Sequence, residues 1–284
     1  LLAVSTLSAA PFEFKDTDRV VFIGSTLVER EQRYGYWETA LTAKYPGLKV
    51  RNLGWSGDNV FGEARRAFDV GNADIGRKRL VDLALAEKPT VIVICYGTNE
   101  SFEGEAGLPK FTQGMTRLLD ELAPTKARFA ILSPLPLEDK GRPLPEPTAQ
   151  NANLAKYRDA LRELATKRNV HFGDLFQALG GEKGLAKDLT DNGIHLTSEG
   201  YRKTVPAFLE ALGQQKDDYS PSLDAVRETV LKKNELYFYR WRPQNETYLF
   251  GFRKHEQGRN AKEIVEFDPL VAAAEEEISK LLKK

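Results

Sequence analysis

Four short segments carry residue types and spacings that could do chemistry. In Gly24-Ser25-Thr26, an apolar run of β-formers (Val20 to Ile23) ends in a glycine and two hydroxyls, then passes into a polar, helix-competent stretch. Such a turn places hydroxyls beside the unpaired N–H groups of a helix start. That is a place for a nucleophile and equally a place for an ordinary N-cap. Gly54-Trp55-Ser56-Gly57-Asp58 follows a second β-forming run, and Gly97-Thr98-Asn99-Glu100 a third. Thr190-Asp191-Asn192-Gly193-Ile194-His195-Leu196 carries one of only three histidines in the chain. A histidine can take a proton from a hydroxyl and return it to a leaving group near neutral pH. Taken singly, each residue also has a plain structural reading: Gly57 in a tight turn, Asn99 capping a helix, His195 satisfied within its loop.

The elements that must position these segments alternate. Arg19–Gly24, Leu48–Leu53, Thr90–Tyr96, Arg128–Ser133 and Val170–Phe172 read as strands. Thr90–Tyr96 is almost continuously apolar, as a central parallel strand buried on both faces should be. Helices are expected over Tyr34–Lys44, near 60–68 and 75–87, over Asn153–Arg168 and over Thr197–Leu212. Leu108, Phe111, Met115, Leu118, Leu119 and Leu122 recur at helical spacing and read as core. Five strands alternating with helices predict an α/β fold: a three-layer α/β/α sandwich around a five-stranded parallel sheet. The first three segments then lie at the carboxyl ends of strands, where ligands gather in such sheets.

The order and spacing of the four segments resemble the SGNH (GDSL-type) hydrolase superfamily, over roughly residues 18–212. The resemblance implies a flavodoxin-like sandwich and a serine nucleophile in the first segment. It also implies oxyanion donors in the second and third, and an Asp-x-x-His pair in the last. Carried across, Gly57 matches the donor glycine, Asn99 the donor asparagine and His195 the general base. Fixed donors of this kind stabilise the developing oxyanion by about 3–4 kcal/mol each. Two positions depart from the pattern. The nucleophile position falls on Thr26, preceded by Ser25, and the position three before His195 is Asn192, with Asp191 next to it. Threonine can attack, but its β-branch crowds the approach. An amide can hold an imidazole without stabilising its charged form, and Asp191 could serve instead if the loop shifted by one. The resemblance thus implies an ester hydrolase, with a carbohydrate O-acyl group as the expected substrate. The alternative is a silent or altered relative that binds a carbohydrate or a partner. Trp55 and Phe102 offer aromatic faces to a sugar or acyl chain, or equally form lids over the core, and Glu100 would disfavour anionic substrates if it faced the pocket instead of belonging to a solvated acidic loop.

Composition narrows the partners. Lys plus Arg and Asp plus Glu balance at 41 each in 284 residues, so no net charge draws the chain to nucleic acid. The three histidines show no close metal-ligand spacing, and neither metal nor cofactor is expected. Cys95, the single cysteine, sits in an apolar run and reads as a buried thiol. Leu1 to Ala10 is apolar and small and reads as a signal-peptide remnant, which would place the protein in the periplasm or outside the cell; the alternative reading is a short N-terminal segment packed on the domain. No other stretch approaches a membrane span.

Three regions follow: an N-terminal segment over 1–17, the hydrolase-like domain over 18–213, and an extension over 214–284 packed on it. The extension holds the densest aromatic and arginine stretch, Tyr237 to Glu256. It should end in a helix with Asp268 as N-cap and Pro269 as its first residue. A subset of exported proteins of that superfamily, from planctomycete-like bacteria, has a similar tail.

Overall fold

The computed structural model of the chain describes residues 12–66, 71–72 and 74–283. The expected signal-peptide remnant over Leu1–Ala10 lies outside the described residues. Five parallel strands, β1 (Arg19–Gly24), β2 (Lys49–Asn52), β3 (Val91–Cys95), β4 (Arg128–Leu132) and β5 (His171–Gly173), form one sheet in the order β2-β1-β3-β4-β5. Phe22 lies opposite Asn52 on one side and Val93 on the other. The pleat sends alternate residues of β1 to opposite faces. Val20 and Phe22 enter one core with Trp37, Val205 and Phe208, and Val21 and Ile23 enter another with Met115, Leu118 and Leu161. Trp37 stacks on Phe208 at 4.7 Å between ring centroids.

The helices of the sandwich are α1 (Thr26–Tyr34), α2 (Tyr36–Lys44), α3 (Ile75–Ala86), α4 (Leu108–Leu122), α5 (Thr148–Arg168), the single turn α6 (Leu175–Ala178) and α7 (Ser198–Ala211). The helix expected over Tyr34–Lys44 is α2, which begins two residues later: Gly35 adopts a left-handed φ of 69° and its N–H caps the Glu31 carbonyl, so that Tyr34 closes α1. The expected helix near 60–68 is a short 3₁₀ turn at Glu63–Arg66, and residues 67–68 lie outside the described part.

The C-terminal extension contributes α8 (Asp224–Trp241), two single turns, α9 (Glu246–Leu249) and α10 (Lys254–Gln257), and α11 (Phe267–Leu282). Helix α8 lies against α1, α2 and β2, and α11 packs on α8 through Val226, Val230 and Ile278. Lys233 of α8 is 1 % exposed; its ammonium meets Glu38 at 2.5 Å and the Val50 carbonyl at 3.0 Å. Asn234 completes the group by donating to Glu38 at 2.9 Å. Asp268 does not cap α11. A 3₁₀ segment, Gly258–Glu266, runs straight into that helix, so no open N-terminus awaits a cap, and Asp268 pairs with Arg240 at 2.7 Å instead. No helix among the described residues is long and apolar enough to cross a membrane.

Candidate active site

The strand order reverses direction between β1 and β3, and at such a switch point the loops at the carboxyl ends part to leave a crevice. Ser25 and Thr26 leave β1 at this point and Asn99 leaves β3. Together with Leu27, Thr98, Leu135, Leu137, Ile194 and His195 they line one narrow cleft. Ser25 occupies the N-cap position of α1. Its carbonyl accepts from Val28 and Glu29, both at 3.0 Å, but its hydroxyl makes no capping bond, and the residue is 5 % exposed. Thr26 is the first helical residue. Its Oγ1 accepts the Gly57 backbone N–H at 3.0 Å. Gly57 holds a φ of 74°, a left-handed conformation that a residue with a Cβ would adopt only under strain. Asn99 donates through Nδ2 to the Asp58 carbonyl at 2.6 Å, which ties the second loop to the third.

Five buried or half-buried groups beneath these loops were not singled out by the sequence pattern. Glu29, one helical turn after Thr26, accepts the Ser56 N–H and pairs with Arg242 at 3.3 Å and Arg33 at 3.6 Å. Arg65 and Asp58 form a fully buried pair at 2.6 Å, and the Tyr96 hydroxyl donates to the same carboxylate at 2.9 Å. Glu138 sits in the proline-rich loop after β4. Its carboxylate accepts the N–H groups of Asp188, Leu189 and Thr190 and the Thr190 hydroxyl, so it fixes the start of the histidine-bearing loop. Burial alone would raise the Glu138 carboxyl, but these bonds and Lys140 hold it below its ordinary value. The only sequence signal for Glu29 is its spacing of three from Thr26. The others depend on partners far away in the chain.

Glu100 lies under the cleft rather than in its wall. Its two oxygens accept the N–H groups of Val60 at 2.7 Å and Gly97 at 2.9 Å, bridging the second and third loops. Burial pushes its carboxyl up to about 7, against the opposing pull of those bonds. Trp55 is buried, its ring covered by the Arg242 guanidinium at 3.4 Å with the Trp241 ring 5.8 Å away. Phe102 is 59 % exposed on the surface after the third loop.

His195 faces the cleft from the last loop. Asn192 Nδ2 lies 3.0 Å from its Nδ1, while Asn192 Oδ1 accepts the N–H groups of Ile194 at 3.1 Å and His195 at 2.9 Å. Asp191 points elsewhere: its carboxylate pairs with Arg30 at 2.7 Å. Burial depresses the ring's basicity below the ordinary histidine value, and the charge of Arg30 depresses it further, partly offset by Asp191. Neither Thr26 nor Ser25 is hydrogen-bonded to His195. Among the described residues, no group of three or more His, Cys, Asp and Glu side chains is placed to hold a metal ion. Chemically, the cleft joins a hydroxyl resting on a backbone N–H, a side-chain amide and an imidazole of lowered basicity.

The sequence model of the GDSL-like Lipase/Acylhydrolase family matches residues 21–203. No curated protein matches the sequence significantly. Among solved structures, a catalytic mutant of an acetylxylan esterase from Geobacillus stearothermophilus is 19 % identical, with 71 % of this chain and 97 % of that chain covered at a TM-score of 0.52. An α/β hydrolase enzyme from the metagenome of Lake Arreo, Spain, is also 19 % identical, covering 70 % and 97 % at a TM-score of 0.53. A gut microbial diltiazem-metabolizing enzyme is 18 % identical, covering 71 % and 48 % at a TM-score of 0.51. At these identities the likeness is one of fold.

Proposed function

From the premise that this chain belongs to the GDSL-like lipase/acylhydrolase family, we propose that it is an ester hydrolase whose cleft takes an acyl ester, with a carbohydrate O-acyl group as substrate. The observation that carries this reading is the 3.0 Å contact between Thr26 Oγ1 and the Gly57 N–H. A hydroxyl resting on a backbone donor needs little motion to leave that donor facing the oxygen of a carbonyl it attacks.

In this mechanism Thr26 Oγ1 adds to the ester carbonyl carbon and its proton passes to His195. The carbonyl oxygen becomes an oxyanion held by the Gly57 N–H and the second N–H of the Asn99 amide. Collapse releases the alcohol, which takes the proton from His195, and leaves an acyl-threonine. Water then adds to the acyl group with His195 as base, releasing the acid and restoring the hydroxyl. Each fixed donor is worth about 3–4 kcal/mol to such a transition state. The choice of substrate is supported by the acetylxylan esterase among the fold relatives and by the narrowness of the cleft, which suits a short acyl group.

The test is hydrolysis of a small activated acetate ester by wild type beside Thr26→Ala, Ser25→Ala and His195→Ala. Activity that falls to the buffer blank in Thr26→Ala and His195→Ala, and survives in Ser25→Ala, supports the assignment. Loss only in Ser25→Ala moves the nucleophile by one residue. Wild type at the blank, on activated acetate and on acetylated oligosaccharides alike, overturns the reading. A second reading, binding of an ester or carbohydrate without turnover, is favoured by the amide rather than carboxylate behind His195.

A further inference from the structure

We infer that Asn192 is a positioning residue that sets which nitrogen of His195 carries the proton, and that it places this proton on Nε2, so that the resting ring donates into the cleft instead of accepting from it. The consequence for rate rests on the hydrolase reading above; the assignment of the proton does not.

The geometry leaves one choice. Asn192 Oδ1 receives two backbone N–H groups, from Ile194 at 3.1 Å and His195 at 2.9 Å. Turning the amide over would set its NH₂ against both of those donors, so the oxygen and nitrogen are fixed by the loop. Nδ2 therefore faces His195 Nδ1 at 3.0 Å. An amide nitrogen only donates, so Nδ1 must be the acceptor, and a neutral imidazole then has its hydrogen on Nε2. Protonating the ring would put an N–H on Nδ1 against the amide N–H, which adds to the resistance that burial and Arg30 already offer. Asp191 does not relieve this, because its carboxylate is engaged by Arg30 at 2.7 Å.

A carboxylate in place of the Asn192 amide would reverse the arrangement with little other change. One oxygen would keep the two backbone N–H groups. The other would require a hydrogen on Nδ1 and leave Nε2 as a free acceptor for the proton of Thr26. With the amide, the cleft presents donors: Nε2–H, the second Asn99 N–H and the Thr26 hydroxyl. That set suits the carbonyl oxygen of a bound ester or the carboxylate of a product acid. Turnover requires the ring to give up its bond to Asn192 and move its hydrogen to Nδ1 before it can serve as base. The equivalent Asp-to-Asn exchange in a serine protease lowers turnover by about 10⁴.

The experiment is ¹⁵N NMR of the full chain at pH 7.5, reading the tautomer from the two ring nitrogens. With three histidines in the chain, His195→Ala identifies the signals. Wild type should show the Nε2–H form and Asn192→Asp the Nδ1–H form. The same variant should raise kcat/KM on an activated acetate ester by about 10²-fold or more. An Nδ1–H ring in wild type overturns the inference without recourse to any substitution at residue 192, and so does an unchanged tautomer in Asn192→Asp. A changed tautomer without turnover upholds the role of Asn192 and counts against the hydrolase reading.

Discussion

The guanidinium of Arg242 lies 3.4 Å from the centre of the Trp55 ring, joining the end of α8 to the loop that carries Gly57 across 187 residues of sequence. The same group pairs with Glu29 at 3.3 Å, and Glu29 in turn receives the Ser56 N–H. The C-terminal extension thus reaches the backbone beside the candidate oxyanion donor through two side chains.

Arg242→Ala should therefore loosen that loop. It removes a half-buried stacking contact and one of two cationic partners of a buried carboxylate, an expected loss of about 1–3 kcal/mol. Urea unfolding would give the loss as a lower midpoint at constant slope. Amide hydrogen exchange should quicken at Ser56 and Gly57, whose N–H groups are bonded to Glu29 and Thr26. Arg242→Lys should restore little, because an ammonium cannot lie flat on an indole and pair sideways with a carboxylate at once. Unchanged exchange at Ser56 and Gly57 in Arg242→Ala would show that the loop holds without the extension.

A second prediction concerns how the extension is anchored. Lys233 and Glu38 form a buried pair at 2.5 Å, with Asn234 and the Val50 carbonyl completing its hydrogen bonds. Burial lowers the Lys233 pKa, and the Glu38 carboxylate opposes that effect. Removing one partner leaves the other charge in a dry place. Lys233→Ala should cost about 3–5 kcal/mol, whereas Lys233→Met with Glu38→Gln should recover most of it, since both charges leave together. Thermal or urea unfolding of the single and double variants makes the comparison. Equal losses in the two would mean that shape, and not charge, governs the site.

The sheet was legible because each strand announces itself. Val20 to Ile23 and Thr90 to Tyr96 are runs of β-formers ending in a glycine or a polar loop, and the structure places strands at both. The cleft was legible to the extent that its residues follow those strands directly, as Thr26 and Asn99 do. What could not be read was direction. Asp191 and Asn192 are neighbours with nearly the same side chain, and only the position of Arg30, 161 residues earlier, shows that Asp191 turns away from the histidine. Trp55 could be read as a substrate face or as a lid over the core, because nothing near it in sequence reveals that Arg242 lies over its ring. The start of α2 moved from Tyr34 to Tyr36 because helical periodicity continues across Gly35, which the backbone uses as a stop for α1.

The position of Arg30 gives the last prediction. Its guanidinium bonds to Asp191 at 2.7 Å and contributes to holding His195 below the ordinary histidine value of 6.5, after burial and against the weaker pull of Asp191. A depressed folded-state pKa means that the folded ring takes up its proton at lower pH than the unfolded chain does. The acid limb of any rate that needs neutral His195 should therefore lie below pH 6.5. Arg30→Gln removes the positive charge and leaves Asp191 unneutralised, and both changes favour the imidazolium. The limb should move to higher pH, and the His195 ring proton should titrate at higher pH in step with it. Following the Cε1–H resonance from pH 4 to 8 in both proteins measures this without any substrate. A titration that stays in place would mean that Arg30 is screened by solvent and that burial and the Asn192 amide depress the ring without it.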